Sequence, residues 1–415
     1  MDQLSRHPRY GLLVGFVAFL SFTLTIGIAQ YSFGVFVTEL EAEFGWTRTE
    51  VSTALSFFAV GGLAALPVGW ALDRFGARPV MALSIAALAV SQLLRPWMTE
   101  LWHFYALSAL QFAAMPGAAL ITGARLVGVW FHETRGRAMG LTAMGANFGG
   151  IVFSSLTAVL VDTMGWQPTY LVYGALFACF VPVILLVVRE QPAPRPVQDP
   201  AAEGTSEAEA GRPDHRLAGV TLRHALRSRS FYIVVLSLLF AQLSYQAVLP
   251  QIVPHLENVG MSRSTAAVAL SALALVGMGG KVSFGWLCER WPARYALTVS
   301  LACQVAGIAI LLAAGDSAAV WLFVPVFGLG FGALGAIMPL LVQDTFGLAA
   351  FGMIFGLVNT FTLSSALVGP PLVGASFDAT GSYQTAFIAI SALLLVAAVA
   401  ITLARPLAGA RARTP

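Results

Sequence analysis

A single lysine inside an apolar stretch is the residue of this chain whose chemistry most needs an explanation. Lys281 stands in the run "VGMGGKVSFGW", and it is the one lysine among 23 lysine and arginine residues. All 20 acidic residues fall in loops, tails or the ends of apolar segments, so no buried carboxylate is available to neutralise this ammonium group. An ionisable residue in such a segment is a functional candidate. Either burial deprotonates the lysine or a small anion is its partner, unless the side chain reaches the surface by snorkelling.

Several polar and aromatic side chains lie at moderate depth in other apolar segments and are candidates to complete an anion site. Three of them, in one segment, share a helix face because they are spaced at i, i+3 and i+4. Each residue of this set is equally compatible with interhelical hydrogen bonding or packing. The candidates are Gln242, Tyr245 and Gln246, then Asn147, Asn359 and Tyr31, and finally the aromatic Phe331.

The elements that must position these residues are membrane-spanning helices. The chain is 58% hydrophobic and 10% charged, with a mean hydropathy of +0.79, which is far too apolar for a soluble protein of this length. One span needs about 20 apolar residues, so the chain predicts an all-α protein of about twelve spans. The first segment is too long for a signal-peptide core and is expected to be retained. The segments run near 10–37, 49–72, 79–98, 101–131, 137–161, 167–188, 231–253, 265–287, 295–314, 318–342, 351–377 and 383–403.

The arginines divide between alternate loops in a way that predicts the orientation of the chain. One set of loops, with both termini, carries most of them, whereas the opposite loops hold only Arg48, Arg95 and Arg263. The positive-inside rule therefore predicts a multi-pass protein of the inner (plasma) membrane with both termini in the cytoplasm. Arg125, near the cytoplasmic end of its span, is expected to snorkel. Residues 189–230 are rich in Pro, Ala, Glu and Arg and predict a cytoplasmic linker whose end, "TLRHALRSRS", favours a short basic helix.

The chain repeats itself at an offset of 216 residues. The stretch "GWALDRFGARPVMALS" from Gly69 returns as "GWLCERWPARYALTVS" from Gly285, and Gly136 maps onto Gly352. Two six-helix bundles, 1–188 and 231–415, are therefore expected to rock against each other. Glycine pairs at four-residue spacing in the spans predict close helix packing. The repeated loops carry candidate gating residues, namely Asp73, Arg74 and Arg78 with Glu289, Arg290 and Arg294, whose ion pairs form in one conformation, unless they serve topology alone.

The repeated loop resembles a family signature. "GWALDRFGARP" is similar to the G-x-x-x-D-R-x-G-x-R motif of the major facilitator superfamily. Within it, "YSFGVFVTELEAEFGWTRTEVS", "WFHETRGRAMGL" and "GPPLVGASFDATGSYQTAFI" resemble the monocarboxylate porters and the oxalate–formate exchangers. That resemblance implies an arginine in the eighth helix that holds the substrate carboxylate, four residues before a glycine. Lys281 occupies the matching place before Gly285, although lysine lacks the planar fork of arginine.

These observations together predict a secondary transporter of small organic anions, above all monocarboxylates of the lactate and pyruvate type. In proton symport the lysine would be protonated while the anion is bound and neutral when the site is empty. In an exchanger the lysine would stay protonated throughout. A drug or metabolite exporter of the same fold is a further alternative. The sequence has no nucleotide-binding loop, metal cluster or activated nucleophile, so no enzyme activity, cofactor or metal is expected. The expected partners are the substrate, protons and the lipid bilayer, with no nucleic acid, and the monomer is expected to function.

Overall fold

All regular elements in the described part of the chain are helices. The computed structural model describes residues 8–131, 133–189, 219–248, 256, 263–313, 317–380 and 382–407. Eleven helices there are long and apolar enough to cross a membrane. A twelfth helix, Phe351–Thr380, contains the shorter apolar stretch Phe351–Ala366. The predicted all-α fold of two six-helix bundles is confirmed. Most of the predicted linker, residues 190–218, lies outside the described residues.

The first bundle contains six spans, three of which are assembled from shorter pieces. The first span joins α1 to α2 through a π-helical turn, and the fourth joins α6 to α7 in the same way. A π turn interrupts the regular hydrogen-bond ladder of a helix and is frequent at functional sites. The helices are α1 (Pro8–Ile26), α2 (Phe33–Phe44), α3 (Arg48–Thr53), α4 (Phe58–Phe75), α5 (Ala77–Leu94), α6 (Leu101–Met115), α7 (Ile121–Trp130), α8 (Arg135–Met164) and α9 (Trp166–Val187).

The second bundle repeats the arrangement with more continuous helices. A short helix precedes it and has its first turn capped by the Thr221 hydroxyl, which accepts from the His224 amide. This helix is the one expected in "TLRHALRSRS". The helices are α10 (Leu222–Arg227), α11 (Arg229–Val248), α12 (Arg263–Arg290), α13 (Ala293–Ala313), α14 (Ser317–Phe346), α15 (Phe351–Thr380) and α16 (Gln384–Thr402).

The ends of the helices that carry the arginine-rich loops gather on one face, here called the terminal face. Tyr10 at the start of α1 donates to the Val187 carbonyl at the end of α9, with 2.7 Å between the oxygens. In the second bundle Ser230 donates to the Arg405 carbonyl at 2.9 Å. These hydrogen bonds place the first and last described helices of each bundle side by side at that face.

Glycines form two of the tight turns between helices and allow several pairs of helices to pack closely. Gly76 and Gly165 have φ of +84°, a left-handed conformation that favours glycine, so the next helix begins one residue later. The glycine pairs pack closely, as expected from their spacing. In one of them, a β-carbon on Gly145 would lie 2.6 Å from the Phe19 carbonyl oxygen of α1.

Arg95, counted from sequence among the loop arginines, lies at the end of its span but is buried. The residue is 2% exposed, at the start of a 3-10 turn, Arg95–Trp97, that follows α5. The guanidinium donates hydrogen bonds to Tyr170, Ser108 and Gln111 inside the first bundle. The side chain therefore turns back into the bundle, which the sequence did not indicate.

Candidate substrate site and the gate between the bundles

Lys281 lies on α12 at the boundary between the two bundles. Its ammonium group donates to the Ala143 carbonyl of α8 at 3.1 Å and to Oδ1 of Asn147, also on α8. The Asn147 amide in turn donates to the Ala274 carbonyl of α12 at 3.4 Å. Among the described residues, no carboxylate forms an ion pair with Lys281. The lysine of one bundle is therefore held by neutral acceptors of the other.

Helices α8 and α12 approach closely because glycines face each other along their contact. A β-carbon on Gly136 would overlap the Gly285 carbonyl oxygen, and one on Gly140 would overlap the carbonyl oxygen of Lys281 itself. With no side chains between them, the backbones can touch. This proximity is what brings the Lys281 ammonium to the Ala143 carbonyl across the boundary.

An aromatic column stands beside the lysine in the second bundle. The rings of Tyr245 on α11 and Phe331 on α14 are stacked with centroids 4.7 Å apart, and Phe327 continues the column at 6.2 Å. The Phe331 ring lies against Gly277, one turn of α12 before Lys281. The column therefore provides an apolar wall one helical turn away from the cation.

Tyr31 approaches this region from the first bundle. Its ring lies against Gly150 of α8, one helical turn after the Asn147 that contacts Lys281, and the residue is 45% exposed. The structure thus brings Lys281 and Asn147 into contact, places Tyr31 one turn further along α8, and stacks Tyr245 on Phe331 in the aromatic column.

Three other candidates stand apart from the lysine in the described part of the chain. Gln242 and Gln246 are half-buried on α11. Asn359 is buried at 6% exposure on α15, next to Thr360, whose hydroxyl donates to the Gly62 carbonyl of the first bundle. Asn359 therefore lies at the contact between α4 and α15.

At the terminal face, Asp73 of the first bundle binds the beginning of α15 in the second. Its carboxylate accepts from the backbone amides of Gly352 and Met353, both at 2.8 Å. It also accepts from Arg125 at 2.9 Å. A carboxylate at a helix N-terminus is stabilised by the free amides and the helix dipole. Asp73 thus acts as a cap for a helix of the opposite bundle.

Glu289 makes the matching contact in the other direction. Its carboxylate accepts from the backbone amide and from Nε of Arg137, both at 2.8 Å, in the first turn of α8. Asp73 and Glu289 are separated by 216 residues, as are Gly136 and Gly352 in the helices they cap. Residues related by the internal repeat therefore form matching contacts between the two bundles.

Further polar contacts across the bundles were not foreseen. Arg135 pairs with Asp344 of α14, which also accepts from the Ala293 amide at 3.1 Å. Gln343 donates to the Ala124 carbonyl of α7 at 2.9 Å. The signal for Asp344 was available, because it is an acid in the last turn of an apolar span, as are Asp73 and Glu289. No sequence signal distinguishes Gln343.

The four arginines predicted for the gate lie within their own bundles in this conformation. The Arg74 guanidinium lies 5.5 Å from the centroid of the Trp70 ring, and Arg290 lies 3.7 Å from that of Trp286. Arg294 donates to the Ala404 carbonyl at 2.8 Å. Arg78 is exposed in the first turn of α5.

The expectation that Arg125 reaches the surface is wrong. Its side chain is 6% exposed because Asp73 satisfies it inside the bundle. A buried base can be recognised in a sequence, but its partner on another helix cannot. No group of His, Cys, Asp or Glu in the described part of the chain could hold a metal ion.

Comparison with known proteins agrees with this architecture. Residues 12–370 match the profile of the Major Facilitator Superfamily. Monocarboxylate transporter 13 of Bos taurus is 29% identical over 394 residues, covering 93% of this chain and 87% of the relative. Monocarboxylate transporter 2 of Homo sapiens is 23% identical over 414 residues, covering 94% and 84%.

Solved structures share the fold at low identity. A crystal structure of the transporter FucP in the outward conformation has a TM-score of 0.72 and 15% identity, covering 94% of this chain and 98% of that one. The proton:xylose symporter XylE has a TM-score of 0.71 and 11% identity, with 96% of each chain covered. With two six-helix bundles, a repeated loop and a match over most of its length, the chain belongs to the Major Facilitator Superfamily, a family of transporters.

Proposed function

We propose that this protein is a secondary transporter that carries small monocarboxylates, of the lactate and pyruvate type, by proton symport. The observation that carries the proposal is the position of Lys281, a cation between the two bundles whose described contacts are neutral oxygens. An ammonium group has three donors, of which two are used by Ala143 and Asn147. The third is free for a carboxylate oxygen.

Charge explains why proton and anion would travel together. A desolvated ammonium without a counter-anion is costly, and so is a desolvated carboxylate without a cation. The pair of ammonium and carboxylate is neutral, so enclosing it in the membrane costs less free energy than enclosing either charge alone. Lys281 would accordingly gain its proton when the anion binds and lose it when the anion leaves, so that each cycle moves one carboxylate and one proton without net charge.

The remaining site residues have roles that follow from their places. Asn147 holds the lysine while the carrier is empty, and the column of Tyr245 and Phe331 contacts the apolar part of the substrate. Tyr31 closes the site from the first bundle. Gln242, Gln246 and Asn359 are assigned to the walls of the path that opens as the bundles separate.

Asp73 and Glu289 act as the gate on the terminal face. Both bundles are in contact there, and the bias of arginines assigns that face, with both termini and linker 189–230, to the cytoplasm. The carrier described here would then be closed toward the cytoplasm of a cell whose plasma membrane it spans as a monomer. Opening frees both carboxylates, and we assign Arg74, Arg78, Arg290 and Arg294 as their partners in that state.

Names of relatives support the substrate class and the coupling. Two similar proteins are called monocarboxylate transporters, and XylE is called a proton:xylose symporter. An exchanger of the oxalate–formate type would use the same lysine in a permanently charged form. An exporter of neutral or cationic compounds would have no use for it.

Uptake into proteoliposomes under an imposed pH gradient tests the proposal. Radiolabelled lactate, pyruvate, formate and oxalate would be compared for wild type, Lys281→Gln and Lys281→Arg. Ser283→Ala is the matched control, because Ser283 is exposed on the same helix and bonds within it. We expect uptake of a monocarboxylate that Lys281→Gln abolishes and Ser283→Ala preserves, while Lys281→Arg binds the acid but loses the response to the pH gradient.

The same vesicles distinguish the alternatives. Uptake that requires a preloaded internal anion and ignores the pH gradient would support exchange. Normal uptake by Lys281→Gln would overturn the assigned site and favour an exporter.

A further inference from the structure

We propose that Arg95 and Gln111 are positioning residues that hold the π turn Gly27–Tyr31 in the form that presents Tyr31 to the substrate. The role for Tyr31 rests on the function proposed above. The hold on the turn itself rests on contacts inside the first bundle, which no part of that proposal uses.

Gln111 on α6 connects the buried arginine to the turn. Its Nε2 donates to the Ala29 carbonyl of the turn at 3.0 Å. Its Oε1 accepts from Arg95 at 3.0 Å and from Gln92 at 2.9 Å. All three polar side chains are at most 3% exposed. A carbonyl in an interrupted helix ladder thus obtains a side-chain donor.

Arg95 determines which way the Gln111 amide faces. A guanidinium has donors and no acceptor, so the side of Gln111 that meets Arg95 must be its oxygen. The amide nitrogen is then directed to Ala29. With a residue that can both donate and accept at position 95, the amide could turn and leave the Ala29 carbonyl facing another oxygen.

The environment of Arg95 indicates that its donors are the reason for its presence. Its other acceptors are the hydroxyls of Tyr170 and Ser108, both at 3.3 Å, and its charge lies about 5 Å from the ring centroids of Phe104 and Tyr170. No carboxylate within the described residues pairs with it. Burying an arginine this way is expensive, and an apolar side chain would fill the same space at lower cost.

A second polar chain holds the other end of the turn. The Ser32 amide closes the π turn on the Gly27 carbonyl at 3.1 Å, and the Ser32 hydroxyl accepts from Thr157 at 2.7 Å. Tyr31 lies between this contact and the Ala29 carbonyl. With both neighbours fixed, the Tyr31 ring is held against Gly150 of α8, one helical turn after the Asn147 that contacts Lys281.

Hydrogen–deuterium exchange of the full-length protein in nanodiscs tests the hold on the turn without any substrate. Arg95→Gln replaces a group that only donates with one that both donates and accepts, and Gln111→Met keeps the shape but loses the amide. The control is Ser91→Ala. It removes a hydrogen bond of 2.9 Å from Ser91 on α5 to the Leu107 carbonyl on α6. We expect the two variants, and not the control, to exchange amides 27–32 roughly tenfold faster, as expected for one lost hydrogen bond.

Exchange in α13 of the other bundle serves as the internal reference for global unfolding. Equal exchange of amides 27–32 in wild type and Arg95→Gln, with α13 unchanged, would overturn the inference. If Gln111→Met does not fold, Arg95→Gln alone decides.

A double-mutant cycle with Tyr31→Phe tests the consequence for transport, with pyruvate as the probe. We expect Arg95→Gln to raise KM about tenfold in wild type and to have little further effect on KM in Tyr31→Phe, because residues that act through one another are not additive. Additive effects on KM would overturn positioning through Tyr31. Faster exchange at the turn combined with a Tyr31→Phe variant of normal KM would instead leave the hold on the turn intact and remove Tyr31 from the proposed substrate site.

Discussion

Asp73 and Glu289 each cap the first turn of a helix that belongs to the opposite bundle. Each carboxylate lies in the last turn of its own helix, α4 or α12, where the helix dipole disfavours a negative charge. The amides of Gly352 and Met353 on one side, and of Arg137 on the other, compensate for that placement. Contact between the bundles therefore stabilises both carboxylates, whereas separation would leave each of them at the unfavourable end of its own helix.

Neutralising Asp73 should open the gate more than neutralising Glu289. The Asp73–Arg125 pair is buried, whereas Arg137, the partner of Glu289, has 52% of its side chain exposed and is screened by solvent. For Asp73→Asn we expect roughly a tenfold shift toward the state open at the terminal face, as for the loss of a charged cap, and a smaller shift for Glu289→Gln. Spin labels at positions 75 and 349, in a background without the native cysteines, would report the distance between the bundles.

Glu43→Gln is the control for these variants, since Glu43 is an exposed carboxylate of α2. A distance distribution for Asp73→Asn that matches wild type would contradict the role of the cap. Equal shifts for the two gate variants would contradict the ranking by burial.

Adding one methyl group at Gly285 should prevent closure. A β-carbon there would overlap the Gly136 carbonyl oxygen across the bundles, whereas one on Gly279 of the same helix would have nothing within 4 Å. We expect uptake by Gly285→Ala to fall more than tenfold and uptake by Gly279→Ala to stay near wild type. Since alanine favours a helix over glycine in both cases, a difference between the variants reports the contact. Equal uptake by the two would show that α8 and α12 need not touch.

The repeat made most of this gate predictable, because residues at an offset of 216 marked the helix ends that meet. Lys281 was also recognisable, since a lone cation in an apolar run is rare. The residues that these side chains contact on other helices were not predictable. Nothing in the residue types near Asp73 indicates Arg125 rather than Arg74, because that choice depends on how α4 and α7 cross. The burial of Arg95 was not predictable for the same reason, because its acceptors come from α6 and α9.

Asn147→Asp should disable the site with almost no change in shape. A carboxylate at this position would pair with the Lys281 ammonium, which already contacts the Asn147 oxygen, and the internal anion would then compete with the substrate. We expect KM for the transported acid to rise more than tenfold, as breaking or occupying a buried charged pair costs several kcal/mol. Uptake assays on Asn147→Asp and Asn147→Gln measure the effect, and an unchanged KM in Asn147→Asp would separate this residue from the site.

Glu50 should make the end of the first bundle opposite the terminal face sensitive to acid. Hydrogen bonds from the Thr47 amide and hydroxyl lower the pKa of the Glu50 carboxyl below its usual value. A lowered folded-state pKa contributes stability above the unfolded value, and this contribution is lost as the pH falls through the folded value. We expect Glu50→Gln to lower the Tm slightly at pH 7. The difference should begin to shrink as the pH falls through the usual range of glutamate, at about 4.3, and should vanish only below the lowered pKa of the folded protein. A difference that does not shrink with acid would contradict a stabilising role for these hydrogen bonds.

The exchange of caps between the bundles has a consequence for how such a chain can be divided. An interface in which residue i of one unit meets residue j of the other, while j of the first meets i of the second, is isologous, the kind formed by a two-fold symmetric homodimer. Asp73 with Met353, and Glu289 with Arg137, satisfy that description with the two halves in place of two subunits. Each half therefore carries both the carboxylate and the helix start needed to pair with a copy of itself, and the linker supplies connection rather than complementarity.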